Sequence, residues 1–355
     1  MAESAKNILN ALLDGGRISR AGLAKKLKLS RPAISAAVEK LIAAGLLRDG
    51  GLGVSSGGKP PTMLEFTPSE VCAVGLDVGD GATMRAVLLD GNAEIIDHTA
   101  AEVDSDYPAL CRAAEKLTKF IVGRNPDHHI RGIGAAVPGV VDADRNAVLF
   151  SANLDLAGDN RDFAADLKKS TGLPVLLRNR ARAAAAAEWR GGAAADYQNF
   201  VYITFGSGVG AVIHHNGAML NGLNHSAGEI RDLIVNTSDS AAPKFSRLEP
   251  ELLNIYRKHG ASPDAVHAYL AVCTDMVKML AAITDPDTVV FGGRFKLLGA
   301  EFLDGLTKRL QSALPARREP PKLEFAAAGA DGAACGAAFK LLREFINEKI
   351  ENGEC

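Results

Sequence analysis

Three short amphipathic patterns fill the first 45 residues. Ile8, Leu9, Leu12 and Leu13 recur on one helical face, and Asp14-Gly15-Gly16 ends it. Ser19 is placed to cap a second helix carrying Leu23 and Leu27, after which "KLS" turns the chain. Ser30 caps a third helix with Pro32 in its first turn, where a missing N–H costs nothing. Its apolar positions are Ile34, Val38, Leu41 and Ile42, and Gly45 stops it. The pattern then turns to strands. Leu46–Arg48 and Thr62–Phe66 predict a two-stranded wing around the Gly/Ser-rich tip of "LLRDGGLGVSSGGKPPTMLEF".

From residue 71 buried strands alternate with glycine turns. "VCAVGLDVGDGATMRAVLLD" reads as strand, turn, strand, and "NFVYITFGSGVGAVIHHNG" repeats the theme. "IRGIGAAVPGVVD" and "DTVVFGGRF" supply further strands that end on glycines. Exposed backbone N–H groups in such turns can cradle phosphates, although tight hairpins need glycine anyway. The repetition predicts a duplicated, two-lobed α/β body with a cleft. "LPVLLRNRARAAAAAEW" (173–189) reads as a strand running into an alanine-rich helix, with Arg178, Arg180 and Arg182 at the junction. Junctions of this kind are where α/β proteins hold ligands.

Two helices joined by a short turn suggest helix-turn-helix DNA binding; a plain three-helix bundle with solvated charges is the alternative. The early polar positions of the third helix are Arg31, Ala33, Ser35 and Ala36, beside its cap Ser30. These are small or cationic, as entry into a major groove requires. Lys25, Lys26 and Lys28 are placed to meet phosphates. Lys59, in "GGKPP", either lies along a minor groove or belongs to a linker. Charge supports the DNA reading: residues 1–60 carry a net +6, and the rest of the chain −8.

Length predicts two or three structural units. No run of 18 apolar residues and no signal-peptide core is present, so the expectation is a cytoplasmic protein with no membrane contact. The five cysteines (Cys72, Cys111, Cys273, Cys335 and Cys355) are scattered, which argues for buried thiols and against a metal site.

The order helix-turn-helix, "SSGGKPP", "GLDVG", "GIGAAVPGVVD", "FSANL", "GLPVLLRN", "YITFGSGVG", "HSAGEI", "VVFGG" and "GADGAACGAA" resembles the ROK family of sugar-responsive repressors and sugar kinases, in its xylose and N-acetylglucosamine repressor branch. The resemblance runs from about residue 5 to 345. It implies an N-terminal winged helix-turn-helix followed by a two-lobed actin-like, ribonuclease H-like α/β body. The expected divisions are 1–66 for the head, 71–188 for the first lobe, completed by a C-terminal helix over 335–352, and 189–334 for the second lobe.

The departures from the family pattern matter as much as the matches. Where family kinases carry the aspartate that serves as general base, this chain has Arg180. A guanidinium cannot accept that proton. The first phosphate turn, Asp-x-Gly-Gly-Thr in the kinases, reads Asp77-Val78-Gly79-Asp80-Gly81 here. Gly206, Gly208 and Gly210 keep the second turn, and Gly292-Gly293 the later one, as vestigial nucleotide loops. In the zinc pattern Arg231 and Asp232 replace glycine and histidine, and the cysteines are gone, so neither metal nor cofactor is expected. Asn153, Asn179, Glu229 and Glu249 match family sugar contacts.

Two readings of Arg180 stay open. It pairs with Asp232 or Glu229 and fills the sugar's space, or it faces an anionic ligand such as a sugar phosphate or sugar acid. Arg178 and Arg182, i and i+4 on a nascent helix, are either partners in this or simply solvated. The expectation is a non-catalytic regulator, a homodimer or dimer of dimers on a DNA operator, with a sugar or sugar-phosphate effector. The rivals are a sugar kinase with a regulatory head, and a regulator whose closed pocket answers to a protein partner.

Overall fold

The computed structural model describes residues 2–54, 59–79, 83–151, 154–205, 209–230, 258, 262–314 and 319–351. The chain clusters into two compact units, residues 1–186 with 331–355, and residues 187–330.

In the first unit, α1 (Ala2–Gly15), α2 (Arg20–Leu27) and α3 (Arg31–Ala43) form where the apolar spacing places them. Ser19 Oγ accepts from the Gly22 N–H at 3.1 Å and Ser30 Oγ from the Ala33 N–H at 3.3 Å, so both caps are filled. Ile8, Leu12, Leu23, Ile34, Val38 and Leu41 are sealed inside, while Ile42 reaches only the edge of this core. The wing is longer than the alternation implied: β2 (Leu47–Leu52) pairs antiparallel with β3 (Thr62–Phe66). A further strand, β1 (Ile18–Ser19), joins β3 through Ile18↔Leu64 and Ser19↔Met63. A two-residue strand has no period to read, which is why the sequence did not announce it.

The same unit holds a five-stranded sheet built from β4 (Cys72–Asp77), β5 (Thr83–Asp90), β6 (Ile95–Glu102), β7 (Ile130–Val137) and β10 (Val175–Asn179). Its order is β10-β7-β4-β5-β6, with β4, β7 and β10 parallel and β4, β5 and β6 antiparallel. β8 (Val140–Asp142) and β9 (Ala147–Phe150) form a separate hairpin. Leu110, Ala114 and Ile121 of α4 (Tyr107–Arg124) and Phe163 and Leu167 of α5 (Phe163–Thr171) share one core with the sheet. The C-terminal helix, α9 in chain order (Gly332–Glu351), packs against β4, β7, β5 and β10. It comes close because a Cβ at Gly75 would lie 2.1 Å from Ala334 O, and one at Gly134 2.0 Å from Ala337 O.

The head packs on α9. Ile8, Leu12, Leu64 and Phe66 share one hydrophobic core with Phe339, Leu342 and Ile346. Asn10 Nδ2 donates to Asn347 Oδ1 at 3.2 Å, and Arg343 pairs with Asp14. Asn92, in the turn after β5, accepts from the Phe66 N–H and donates to its carbonyl, both at 2.9 Å.

The second unit is built on β11 (Phe200–Phe205), β12 (Val209–His215), β13 (Ala218–Met219), β14 (Thr288–Gly293) and β15 (Lys322–Phe325). Its order, β13-β12-β11-β14-β15, repeats the first sheet: a central strand with antiparallel neighbours on one side and parallel ones on the other. α7 (Pro263–Thr284) and α8 (Ala300–Ala313) supply Val277, Leu280, Phe302 and Leu306 to its core. Phe291, Phe295 and Phe302 meet there as an aromatic cluster with ring centroids 5.0–5.5 Å apart. α6 (Arg180–Gly191) spans the boundary between the units in sequence. Among the described residues no helix is long and apolar enough to cross a membrane.

Candidate DNA interface and sugar site

Capping by Ser30 fixes where α3 begins, and therefore which side chains its first turns present. Arg31, Ala33, Ser35 and Ala36 are all exposed, while Ile34, Ala37 and Val38 point into the core. Lys25, Lys26, Lys28 and Ser30 are exposed beside them, as is Lys59 beyond the wing tip. Lys28 ends α2 in the left-handed region (φ 54°), with its N–H turned back to Ala24 O. The tight turn from α2 to α3 follows. Arg20 ties the pieces together, 2.9 Å from Glu39 of α3 and 3.6 Å from Asp49 of β2. Glu65 is a residue that pattern reading missed: it is 3% exposed and takes Arg48 at 2.7 Å and Arg17 at 2.6 Å. Two arginines inside a basic head are thereby spent on structure.

The arginines at the strand-to-helix junction divide between two faces. Arg180 opens α6 and reaches across to Asp77 at the end of β4: Nε donates to Oδ1 at 2.7 Å and Nη2 to Oδ2 at 3.0 Å. Asp77 is 1% exposed, and its Oδ1 also accepts the Gly79 N–H at 3.0 Å. The pair is bidentate, the geometry that a planar guanidinium and a carboxylate favour. Asp77 is a partner that the sequence reading, which offered Asp232 or Glu229, did not name; Asp232 lies outside the described residues. Asp77 stands 103 residues from Arg180, and no pattern along the chain links them.

Of the two alternatives for Arg178 and Arg182, simple solvation does not hold. Arg182 is 7% exposed, and burial, with Arg182 and Arg343 nearby, pushes the Arg178 guanidinium down to about 10. Glu344 of α9 acts in the opposite direction. Asn179 is committed locally: its Nδ2 donates to Gly139 O at 2.7 Å and its Oδ1 accepts the Arg182 N–H at 3.0 Å, which caps the first turn of α6.

Three described glycines of these loops, Gly79, Gly292 and Gly293, sit at close approaches. Gly79 has φ +80°, and a Cβ there would lie 2.2 Å from Thr83 O. In the second unit Gly210 pairs with Thr204 in the β11–β12 ladder. A Cβ at Gly292 would strike the Tyr202 hydroxyl at 2.0 Å, and one at Gly293 the Phe205 carbonyl at 2.4 Å. Glu229 is exposed, on a turn closed by its own N–H to Ser226 O at 3.1 Å. Gly81, Asn153, Gly206, Gly208 and Glu249 fall outside the described residues, as does Asp80. Cys72 and Cys335 carry thiols pushed by burial up to about 12, so neither is a thiolate at neutral pH.

The fold and these surfaces define a class: a winged helix-turn-helix head on a body made of two similarly ordered α/β sheets. Comparison with known proteins adds two domain matches. Residues 1–48 match the winged helix-turn-helix DNA-binding model and residues 73–242 the ROK family model, so the chain carries a ROK-family domain behind a winged-helix head. The xylose repressor of Bacillus subtilis strain 168 is 28% identical over 245 residues, covering 68% of this chain and 62% of that protein. The chain thus spans somewhat under two thirds of that relative's length. The glucokinase of Halalkalibacterium halodurans is 28% identical over 328 residues, covering 79% of this chain and 98% of that enzyme. Among solved structures, a ROK family transcriptional regulator described as a homolog of the Escherichia coli MLC protein superposes with a TM-score of 0.75. It is 19% identical and covers 99% of this chain and 100% of its own. The fold is therefore a winged helix-turn-helix followed by the two-lobed, actin-like ROK body.

Proposed function

We propose that this chain is a sequence-specific DNA-binding repressor of sugar-metabolism genes whose ROK body senses a sugar without phosphorylating it. The observation that carries the non-catalytic reading is the Arg180–Asp77 pair. The position that the family resemblance gives to a general base holds a guanidinium, and that guanidinium is bound bidentately to a buried carboxylate. Loss of a general base costs about 10²–10⁴ in rate. The exposed, cationic start of α3 supports the DNA-binding half, with Arg31, Ala33 and Ser35 reading base edges and Lys25, Lys26, Lys28 and Lys59 meeting phosphates. The chain acts as a homodimer on a pseudo-palindromic duplex, since two-fold operators mirror two-fold proteins.

The effector is a neutral sugar, of the kind the names of the xylose-repressor relatives suggest. Arg180 and Asp77 balance one another's charge, so Arg180 is a poor attractor for a sugar phosphate or sugar acid. Thermal unfolding against matched panels of neutral sugars, sugar phosphates and sugar acids tests this. A neutral sugar at about 100 times its Kd should add roughly 2.7 kcal/mol. A rise with anionic sugars alone would overturn the assignment. Sugar-dependent ATP turnover would overturn the non-catalytic reading.

A further inference from the structure

Phe66 ends β3 and the head, and the turn after β5 takes hold of it. β3 pairs with β2 on one edge and with β1 on the other, where Ile18↔Leu64 is the last rung before Phe66. Two residues beyond Leu64, the N–H and C=O of Phe66 point to that same edge. The Asn92 carboxamide takes both, standing in for a further residue of β1. Asn92 is itself held by Asp90, which is 3% exposed. Its N–H donates to Asp90 Oδ1 at 2.9 Å and its Nδ2 to Oδ2 at 3.2 Å. The Glu94 N–H reaches the same Oδ1 at 2.9 Å. The turn is built for this contact rather than for its own ease. Three-residue hairpin loops ordinarily place glycine at the left-handed position. Here Ala93 occupies that region, at φ +67°, and the glycine stands two places earlier. Gly91 is needed there, because a Cβ would lie 2.6 Å from Phe66 Cγ, the root of the buried ring. Strain of the kind Ala93 carries persists only where the surroundings enforce it, and Asp90 supplies that enforcement.

We propose that Asn92 is a positioning residue for DNA recognition: it fixes the angle at which the head leaves the first unit, and with it the half-site spacing the chain accepts. The inference rests on the reading of the chain as a DNA-binding homodimer. The attachment of the head to α9 is an apolar core edged by the Asn10–Asn347 and Asp14–Arg343 contacts. Apolar burial is non-directional, and bonds between two side chains follow a small rotation. The Asn92 clamp differs, because it binds both backbone groups of one residue and is braced from behind by Asp90. It also acts at the pivot. Cys72, where β4 begins, pairs with Asp90, so the chain's entry into the first unit and the brace share one rung. A rotation about this point displaces α3 of each protomer. A two-fold protein reads half-sites about 34–36 Å apart, or multiples of that, so such a displacement changes which spacing fits. Asn92 therefore supplies a specificity that the base contacts of α3 do not.

The test uses the full chain and a duplex enriched by it from a randomised pool. Its two half-sites are then moved apart or together one base pair at a time, beside a duplex that keeps one half-site only. The wild type should prefer one spacing over its neighbours by about tenfold. Asn92→Ala should bind the single half-site as the wild type does, yet separate the spacings by less than about threefold. Gly91→Ala, which pushes Phe66 away, should move or flatten the optimum. Ala93→Gly keeps the clamp and should keep the wild-type profile, as should Asn10→Ala on the α9 side. An Asn92→Ala protein with the wild-type profile overturns the proposal. So does one that loses affinity equally on every duplex, the single half-site included, since that is a folding effect. An Asn10→Ala protein that flattens the profile as strongly also overturns it, by assigning the effect to docking in general. The underlying reading fails separately. A wild type that binds two half-sites no more tightly than one defeats the dimer, and unchanged affinity in Arg31→Ala defeats DNA binding by the head.

Discussion

Arg180 and Asp77 set the residue scale. Among the described residues, removing Arg180 leaves a 1% exposed carboxylate that still accepts the Gly79 N–H. Arg180→Ala should therefore lower the unfolding free energy by about 2–3 kcal/mol, below the cost of breaking a fully buried pair because Arg180 is itself partly exposed. Asp77→Asn should cost less, and the double variant less than the sum of the two, which denaturant melts of all four proteins would reveal.

His214 makes a second residue-scale case. It is 2% exposed and stacks on Phe200 with ring centroids 4.6 Å apart. Its Nδ1 lies 3.1 Å from the Gln198 carbonyl, which can only accept, so Nδ1 carries the proton of a neutral ring. Burial holds its pKa below the usual 6.5. The unfolded chain then binds the proton more readily, so the stabilisation is present above about pH 6.5 and is lost as pH falls below it. Replacing His214 with Phe should flatten this part of the stability–pH curve. A melt series from pH 7.5 to 5 that falls equally in both proteins would contradict the assignment.

At the scale of elements, the sequence announced some features and hid others for physical reasons. The caps of α2 and α3 were legible because Ser19 and Ser30 act within three residues of themselves. So was the duplicated strand–glycine–strand plan. The packing of α9 was not, although "GADGAACGAA" is a run of small residues. Periodicity marks a small-residue face without saying what comes near it. Here a Cβ at Gly336 would lie 1.8 Å from Ala183 O, on the helix that Arg180 opens. Backbone cannot yield as a flexible side chain can, so Gly336→Ala should cost about 2–3 kcal/mol. The same helix carries Arg343, Phe339 and Ile346 against the head. Gly336→Ala should therefore also weaken DNA binding, whereas Glu188→Gln in the second unit should not. Glu188 is 2% exposed and takes the N–H groups of Ala193, Ala327 and Ala328 at 2.8–2.9 Å. Its replacement should lower stability by about 1–3 kcal/mol and leave affinity for the duplex unchanged.

At the scale of the molecule, the division of charge is the plainest statement in the sequence: a head of +6 on a remainder of −8. Such a head should bind duplex DNA with an affinity that falls steeply as salt rises. The head shares one hydrophobic core with α9, and Ile34 and Val38 of α3 belong to it. The measurement that bears most directly on the whole account is affinity of the full chain for its enriched duplex, titrated with neutral sugars while ATP is followed in the same sample. The account predicts nanomolar-range binding, abolished by Arg31→Ala, weakened at least tenfold by one neutral sugar, with no ATP consumed. Sugar-dependent ATP consumption, or a wild-type chain that binds no duplex more tightly than its Arg31→Ala variant, would contradict it.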